Sequence, residues 1–91
     1  LKIAYARAKF MQSYGTTTIE VKSGYGLSVD NEIKILEVAQ ELRKYFDIIP
    51  TFLGAHATPI EYIGRSDEYI DLIIQQMLPK IKELNLSAVV D

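Results

Sequence analysis

The chain has 91 residues, 48% of them apolar and 24% charged, with a net charge of -2 and no cysteine. This is ordinary for a globular domain, and the slight acidity leaves no basic patch for nucleic acid or an anionic membrane surface. No apolar run approaches the roughly 20 residues of a bilayer span, and the lack of thiols excludes disulfides and thiolate metal sites in this segment, which fits a cytoplasmic protein.

Leu1 to Tyr14 carries apolar residues at 1, 4, 8 and 11, one face of a helix, and Gly15 supplies a left-handed end. No leader-like stretch opens the chain. Thr16 to Lys22 is short and β-branched and reads as a strand. Ser28 reads as the N-cap of a second helix reaching about Tyr45, with Asp30 and Glu32 in its first turn and Ile35, Val38, Leu42 and Phe46 on one stripe. Ile48 to Leu53 is a second strand, and Pro50 within it argues for a place near its start or at an irregularity. Ser66 reads as the cap of a third helix with the stripe Ile70, Ile73, Met77, Ile81 and Leu84, which Pro79 should kink or divide and Asn85 should close. A last strand starts at Ala88.

Helices alternating with strands imply right-handed crossovers and a parallel sheet, which on pattern alone is either a (β/α)₈ barrel or an open doubly wound sheet. Two or three parallel strands leave faces and edges uncovered, so the chain reads as a piece of something larger, incomplete at both ends. In either architecture the reactive groups gather at the C-terminal ends of strands. There the sequence places Ser23-Gly24-Tyr25-Gly26 after the first strand and Gly54-Ala55-His56 after the second. Neighbouring strands lie about 4.8 Å apart, so Tyr25 and His56 are expected on one rim over one cavity. The structural alternatives are a satisfied histidine and a tyrosine that covers the mouth. The Ser-Gly-Tyr-Gly turn has neither the Walker nor the dinucleotide glycine spacing.

Strand alternation puts Thr16, Thr18, Glu20 and Lys22 on one face and Thr17, Ile19 and Val21 on the other. With the apolar set toward the helices, Glu20 and Lys22 face the barrel interior and should find each other or partners in a network. A structural ion pair is the favoured reading, with Lys22 orienting a metal ligand or substrate as the sharper one. Asp67, Glu68 and Asp71 read as a solvated helix face, and Glu61 and Tyr62 as shaping the loop after His56.

The phrases Thr17-Thr18-Ile19-Glu20-Val21-Lys22-Ser23-Gly24-Tyr25-Gly26-Leu27 and Thr51-Phe52-Leu53-Gly54-Ala55-His56-Ala57-Thr58-Pro59-Ile60-Glu61-Tyr62 resemble hallmarks of imidazolonepropionase, of the amidohydrolase superfamily. The resemblance implies a (β/α)₈ barrel in which this α/β segment supplies about the second to fourth strands. It implies hydrolytic opening of 4-imidazolone-5-propanoate, a small-molecule substrate, to N-formimidoyl-L-glutamate in histidine degradation. One zinc or iron ion would be held by ligands outside this segment, so the segment alone should be inactive. Tyr25 and His56 match the family's substrate-binding tyrosine and histidine, and no catalytic or metal-ligating residue is assigned here. A homo-oligomer is allowed by this reading. The alternatives are another metal-dependent cyclic amidohydrolase or deaminase of the superfamily, and a non-catalytic α/β module binding a small ligand at the rim.

Overall fold

The computed structural model describes residues 1–91. The first amphipathic stretch forms α1, Lys2–Ser13. Gly15 takes a φ of +94°, and the amides of Gly15 and Thr16 bond back to the carbonyls of Gln12 and Met11. These are the two bonds of a Schellman closure. Of the stripe expected at 1, 4, 8 and 11, Ala8 is buried and Ala4 half-buried, whereas Leu1 and Met11 are exposed. The helix rests on its neighbours through Ala4, which packs beside Ala39, Leu42 and Ile48, and through Tyr5, whose ring meets Tyr45 and Phe46. A helix anchored at one end leaves the rest of its apolar face open.

Strand β1 spans Thr18–Lys22, two residues shorter than expected at its start. Helix α2 spans Val29–Leu42, and the Ser28 hydroxyl caps it by accepting the Asn31 amide at 3.2 Å. It buries Glu32, Ile33, Leu36, Ala39 and Leu42; of the expected stripe only Leu42 is among them, while Ile35, Val38 and Phe46 are half-buried. The reason is that α2 is apolar on two flanks. Ile33 and Leu36 meet the third helix, while Ile35 and Val38 line an open groove of about 480 Å³ with Ala4 and Val21.

Strand β2 spans Asp47–Phe52 and holds Pro50 at its fourth position. Thr51 turns its carbonyl to the β1 side, where the Ser23 amide meets it, and Phe52 turns its carbonyl to the Asp91 amide beyond β3. Backbone groups alternate sides along a strand, so Pro50 faces the β3 side. Strand β3, Val89–Val90, starts opposite Thr51 and has not begun there. The missing N–H therefore costs no ladder bond, and the Ser87 hydroxyl donates to the Pro50 carbonyl at 2.7 Å.

After a 3₁₀ turn at Ile60–Tyr62, the third helical stretch comprises α3 (Ser66–Leu72), a π-helical turn (Ile73–Met77) and α4 (Leu78–Glu83). Ser66 is not the cap expected of it. Arg65 holds the cap position with φ -130°, and no side chain bonds there. The break expected at Pro79 is the π turn just before it, which widens the helix where the proline ring would press on the carbonyl four residues back. Tyr69, Ile73, Met77 and Ile81 make the buried stripe, while Ile70 and Leu84 are exposed. Steps of four drift by about 40° each around an α-helix, and the wider turn takes up the drift. Asn85, φ +53°, then closes the helix, and Leu86 enters the core beside Ile81.

The sheet is parallel in the order β1-β2-β3, with Thr18 opposite Asp47 and Thr51 opposite Val89. One face carries Ile19, Val21, Ile48 and Phe52, and residues of every helix pack on it in two adjoining clusters. Thr18, Glu20, Lys22, Ile49 and Thr51 share the opposite face, as register and alternation require. No helix is long and apolar enough to cross a membrane.

Candidate functional site

Both glycine-bearing turns leave the C-terminal end of the sheet and are tied together as they do so. Ser23 is buried, its amide donates to the Thr51 carbonyl at 3.0 Å, and its hydroxyl accepts the Leu53 amide at 3.1 Å. The side chains that follow meet. Tyr25 Oη and His56 Nε2 lie 2.9 Å apart, with ring centroids separated by 4.8 Å and planes at 75°. Tyr25 is 77% exposed and His56 is exposed, so the pair stands on an open rim. Topology alone placed the two groups on that rim.

Gly24 shows why the turn needs glycine. Its φ is +127°, and a Cβ there would sit 2.7 Å from the Leu53 carbonyl oxygen and 2.8 Å from His56 Cβ. The backbone of the tyrosine turn thus lies directly on the histidine turn. At Gly26 the obstacle is the next helix: a Cβ would come within 2.6 Å of the Glu32 nitrogen.

Glu32 is the residue that sequence reasoning missed. Its place in the first turn suggests an acid favouring the helix dipole, yet it is fully buried. Its carboxylate accepts the amides of Gly24 at 3.0 Å, Gly26 at 2.8 Å and Leu27 at 3.3 Å. The available signal was the spacing, an acid six residues beyond Gly26 in the helix that the turn leads into.

Glu20 and Lys22 do not pair with each other. Lys22 Nζ contacts Asp91 Oδ2 at 2.5 Å, and the Thr51 hydroxyl donates to Glu20 Oε1 at 2.8 Å. Each thus has its own separate partner, on the face away from the helices. The hydrogen bond and charge of Asp91, then the charge of Glu20, raise the Lys22 ammonium above its ordinary range. Asp91 is lowered by the same hydrogen bond and by the charge of Lys22. In the core cluster with Phe52, Tyr69 is buried with no partner for its hydroxyl, and burial, then the charge of Glu32, raises its phenol above the ordinary value.

As to a metal, His56 is the sole histidine and no three His, Cys, Asp or Glu side chains cluster closely enough to hold an ion. The residues present do not fit the zinc or iron of the expectation. The apolar groove beside α2 reaches Tyr25 but not His56 and lies among the helices, so it is not the cavity of the pair.

Parallel strands whose terminal loops present an imidazole and a phenol on one rim define a segment of an α/β protein. No family model matches the chain. Among curated proteins it is similar to the imidazolonepropionases of Shewanella halifaxensis, 52% identical over 93% of this chain and 21% of the relative, and Shewanella oneidensis, 53% identical over the same shares. The imidazolonepropionase of Alkaliphilus oremlandii is 53% identical over 89% of this chain and 20% of its own length. The resemblance carried by the two motifs thus extends over nearly the whole chain, which spans about a fifth of the length of these relatives.

Proposed function

We propose that the polypeptide carrying this segment is an imidazolonepropionase, a hydrolase that opens the ring of 4-imidazolone-5-propanoate to N-formimidoyl-L-glutamate in histidine degradation. The observation that carries the reading is the 2.9 Å approach of Tyr25 Oη to His56 Nε2 at the ends of adjacent parallel strands, within the two motifs that resemble the family. The segment is read as about the second to fourth strands of a (β/α)₈ barrel. Support comes from the family resemblance, and the unreversed order β1-β2-β3 with the packed helices on one face agrees with it, an arrangement that one half of a doubly wound sheet shares.

The pair faces the substrate as two hydrogen-bonding groups set one bond length apart. His56 donates an N–H to the carbonyl oxygen of the ring amide, where negative charge grows as water adds to the carbon. Tyr25 bonds the ring and fixes its orientation, so the water meets the carbon in reacting geometry. Addition forms the C–O bond, the ring C–N bond breaks, and the departing nitrogen takes up the proton that the water loses. The bond between the two side chains is exchanged for bonds to substrate as the ring enters. The zinc or iron of the resemblance would be held by residues elsewhere in the polypeptide.

Ring opening by the full-length polypeptide, followed through loss of the imidazolone chromophore, tests this directly. His56→Ala should lower kcat/KM by about 10² or more, in the range of a lost oxyanion donor, and Tyr25→Phe should lower it less. Unchanged kinetics in both variants would remove the assignment. Turnover of other cyclic amides in preference to the imidazolone would move the protein elsewhere in the superfamily.

A further inference from the structure

We propose that Glu32 is a positioning residue for the Tyr25–His56 pair. It holds the tyrosine turn against the histidine turn through three backbone amides and touches neither ring. As a role in catalysis this rests on the ring-opening reading above; as a role in loop geometry it does not.

A fully buried carboxylate is costly unless its oxygens are met by donors. Here no cation meets them: the donors are the amides of Gly24, Gly26 and Leu27, so both neighbours of Tyr25 are bonded. None of the three amides belongs to α2, the helix that carries Glu32. The carboxylate therefore does not serve its own helix and instead joins the helix to the preceding turn. One oxygen takes Gly24 and the other takes Gly26 and Leu27, so the turn is gripped on both sides of the tyrosine. Leu27 adopts a φ of +62°, which a leucine resists and which this grip helps to hold. Gly24 in turn abuts the Cβ of His56, and this contact passes the position of Glu32 to the second ring.

Glu32→Gln keeps the shape but turns one acceptor into a donor that opposes an N–H. In the full-length polypeptide, hydrogen exchange at Gly24, Gly26 and Leu27 should quicken by about tenfold or more, the loss expected for a charge-assisted bond, while Val21 in β1 stays protected. For activity, Glu32→Gln should lower kcat/KM about tenfold beside Tyr25 but less than threefold in a Tyr25→Phe background, the non-additivity of residues acting through one group. Should Glu32→Gln not fold, Glu32→Asp, which retracts the carboxylate by one methylene, is expected to give the same pattern. Unaltered exchange at the three amides would overturn the proposal. So would an equal loss of activity in both backgrounds, which marks a merely structural role. If the unsubstituted polypeptide opens no ring, the function reading fails, and the exchange measurement alone decides whether Glu32 holds the loop.

Discussion

Replacing Gly24 by alanine tests the contact on which the site depends. The residue has φ +127°, and the added methyl would lie 2.7 Å from the Leu53 oxygen and 2.8 Å from His56 Cβ. The backbone strain costs about 1–3 kcal/mol and forced overpacking a further 1–3 kcal/mol, so unfolding free energy should fall by about 2–6 kcal/mol. Ordinary contact begins at 3.4 Å, so the histidine turn must retreat by about 0.6 Å, which pulls Nε2 from Tyr25 Oη. Displacement of about 1 Å at a reacting group can cost 10² in rate, so kcat/KM should drop at least tenfold. Gly64→Ala is the control. Its φ is +79° with nothing within 4 Å of the added atom, so it carries the backbone penalty alone, about 1–2 kcal/mol, and no loss of rate. Urea unfolding and ring-opening kinetics on the full-length variants give both quantities. Equal losses in the two variants would refute the argument, because the packing of the turns would then contribute nothing.

Tyr69→Phe removes a buried hydroxyl that has no partner and should stabilise the fold by about 1 kcal/mol in urea unfolding. A loss of similar size would mean that the hydroxyl is bonded. Because the Tyr69 phenol is raised in the fold, the native state holds its proton longer than the unfolded chain, and stability should fall as pH climbs past about 10. That alkaline loss should shrink in Tyr69→Phe. The Lys22–Asp91 pair works between two limits: its contribution is complete between the ordinary values of the two groups. It is lost as pH falls through the lowered Asp91 value or rises through the raised Lys22 value. Both side chains are about half exposed, so the effect on stability should be slight and fade with salt. Asp91→Asn should return the Lys22 ammonium toward its ordinary titration in an NMR pH series, and an unmoved titration would show that the pair does not persist in solution.

The sequence was most informative where local chemistry decides. Gly15 and Asn85 end their helices in left-handed geometry, Ser28 caps α2, and the strands lie where β-branched runs occur. It also placed Tyr25 and His56 together, since adjacent parallel strands leave their ends on one rim. Which flank of an amphipathic helix is buried was a tertiary matter. Both Ile35 and Leu36 suit a core, but the third helix arrives on the Leu36 side. Likewise Tyr69 displaced Ile70 because the π turn rotated the face that the spacing predicted. Glu32 was hidden for another reason: a first-turn acid is common enough to be explained by the helix dipole, and its burial depends on a loop folding back.

Two exposed rings cannot be held to a 2.9 Å bond by packing of their own, since exposed side chains rotate freely. The constraint comes from their backbones. Ser23 joins the turns by accepting the Leu53 amide, Glu32 joins the tyrosine turn to α2, and the absent side chain of Gly24 lets one turn lie on the other. Each tie uses a buried polar group or a missing one, and none competes with a ligand for the ring atoms. A small, flat substrate could therefore take the place of the bond between phenol and imidazole while the supporting backbone stays where it is. On the proposed reading the exposed groups recognise, and the buried layer beneath them keeps the geometry in which recognition becomes orientation.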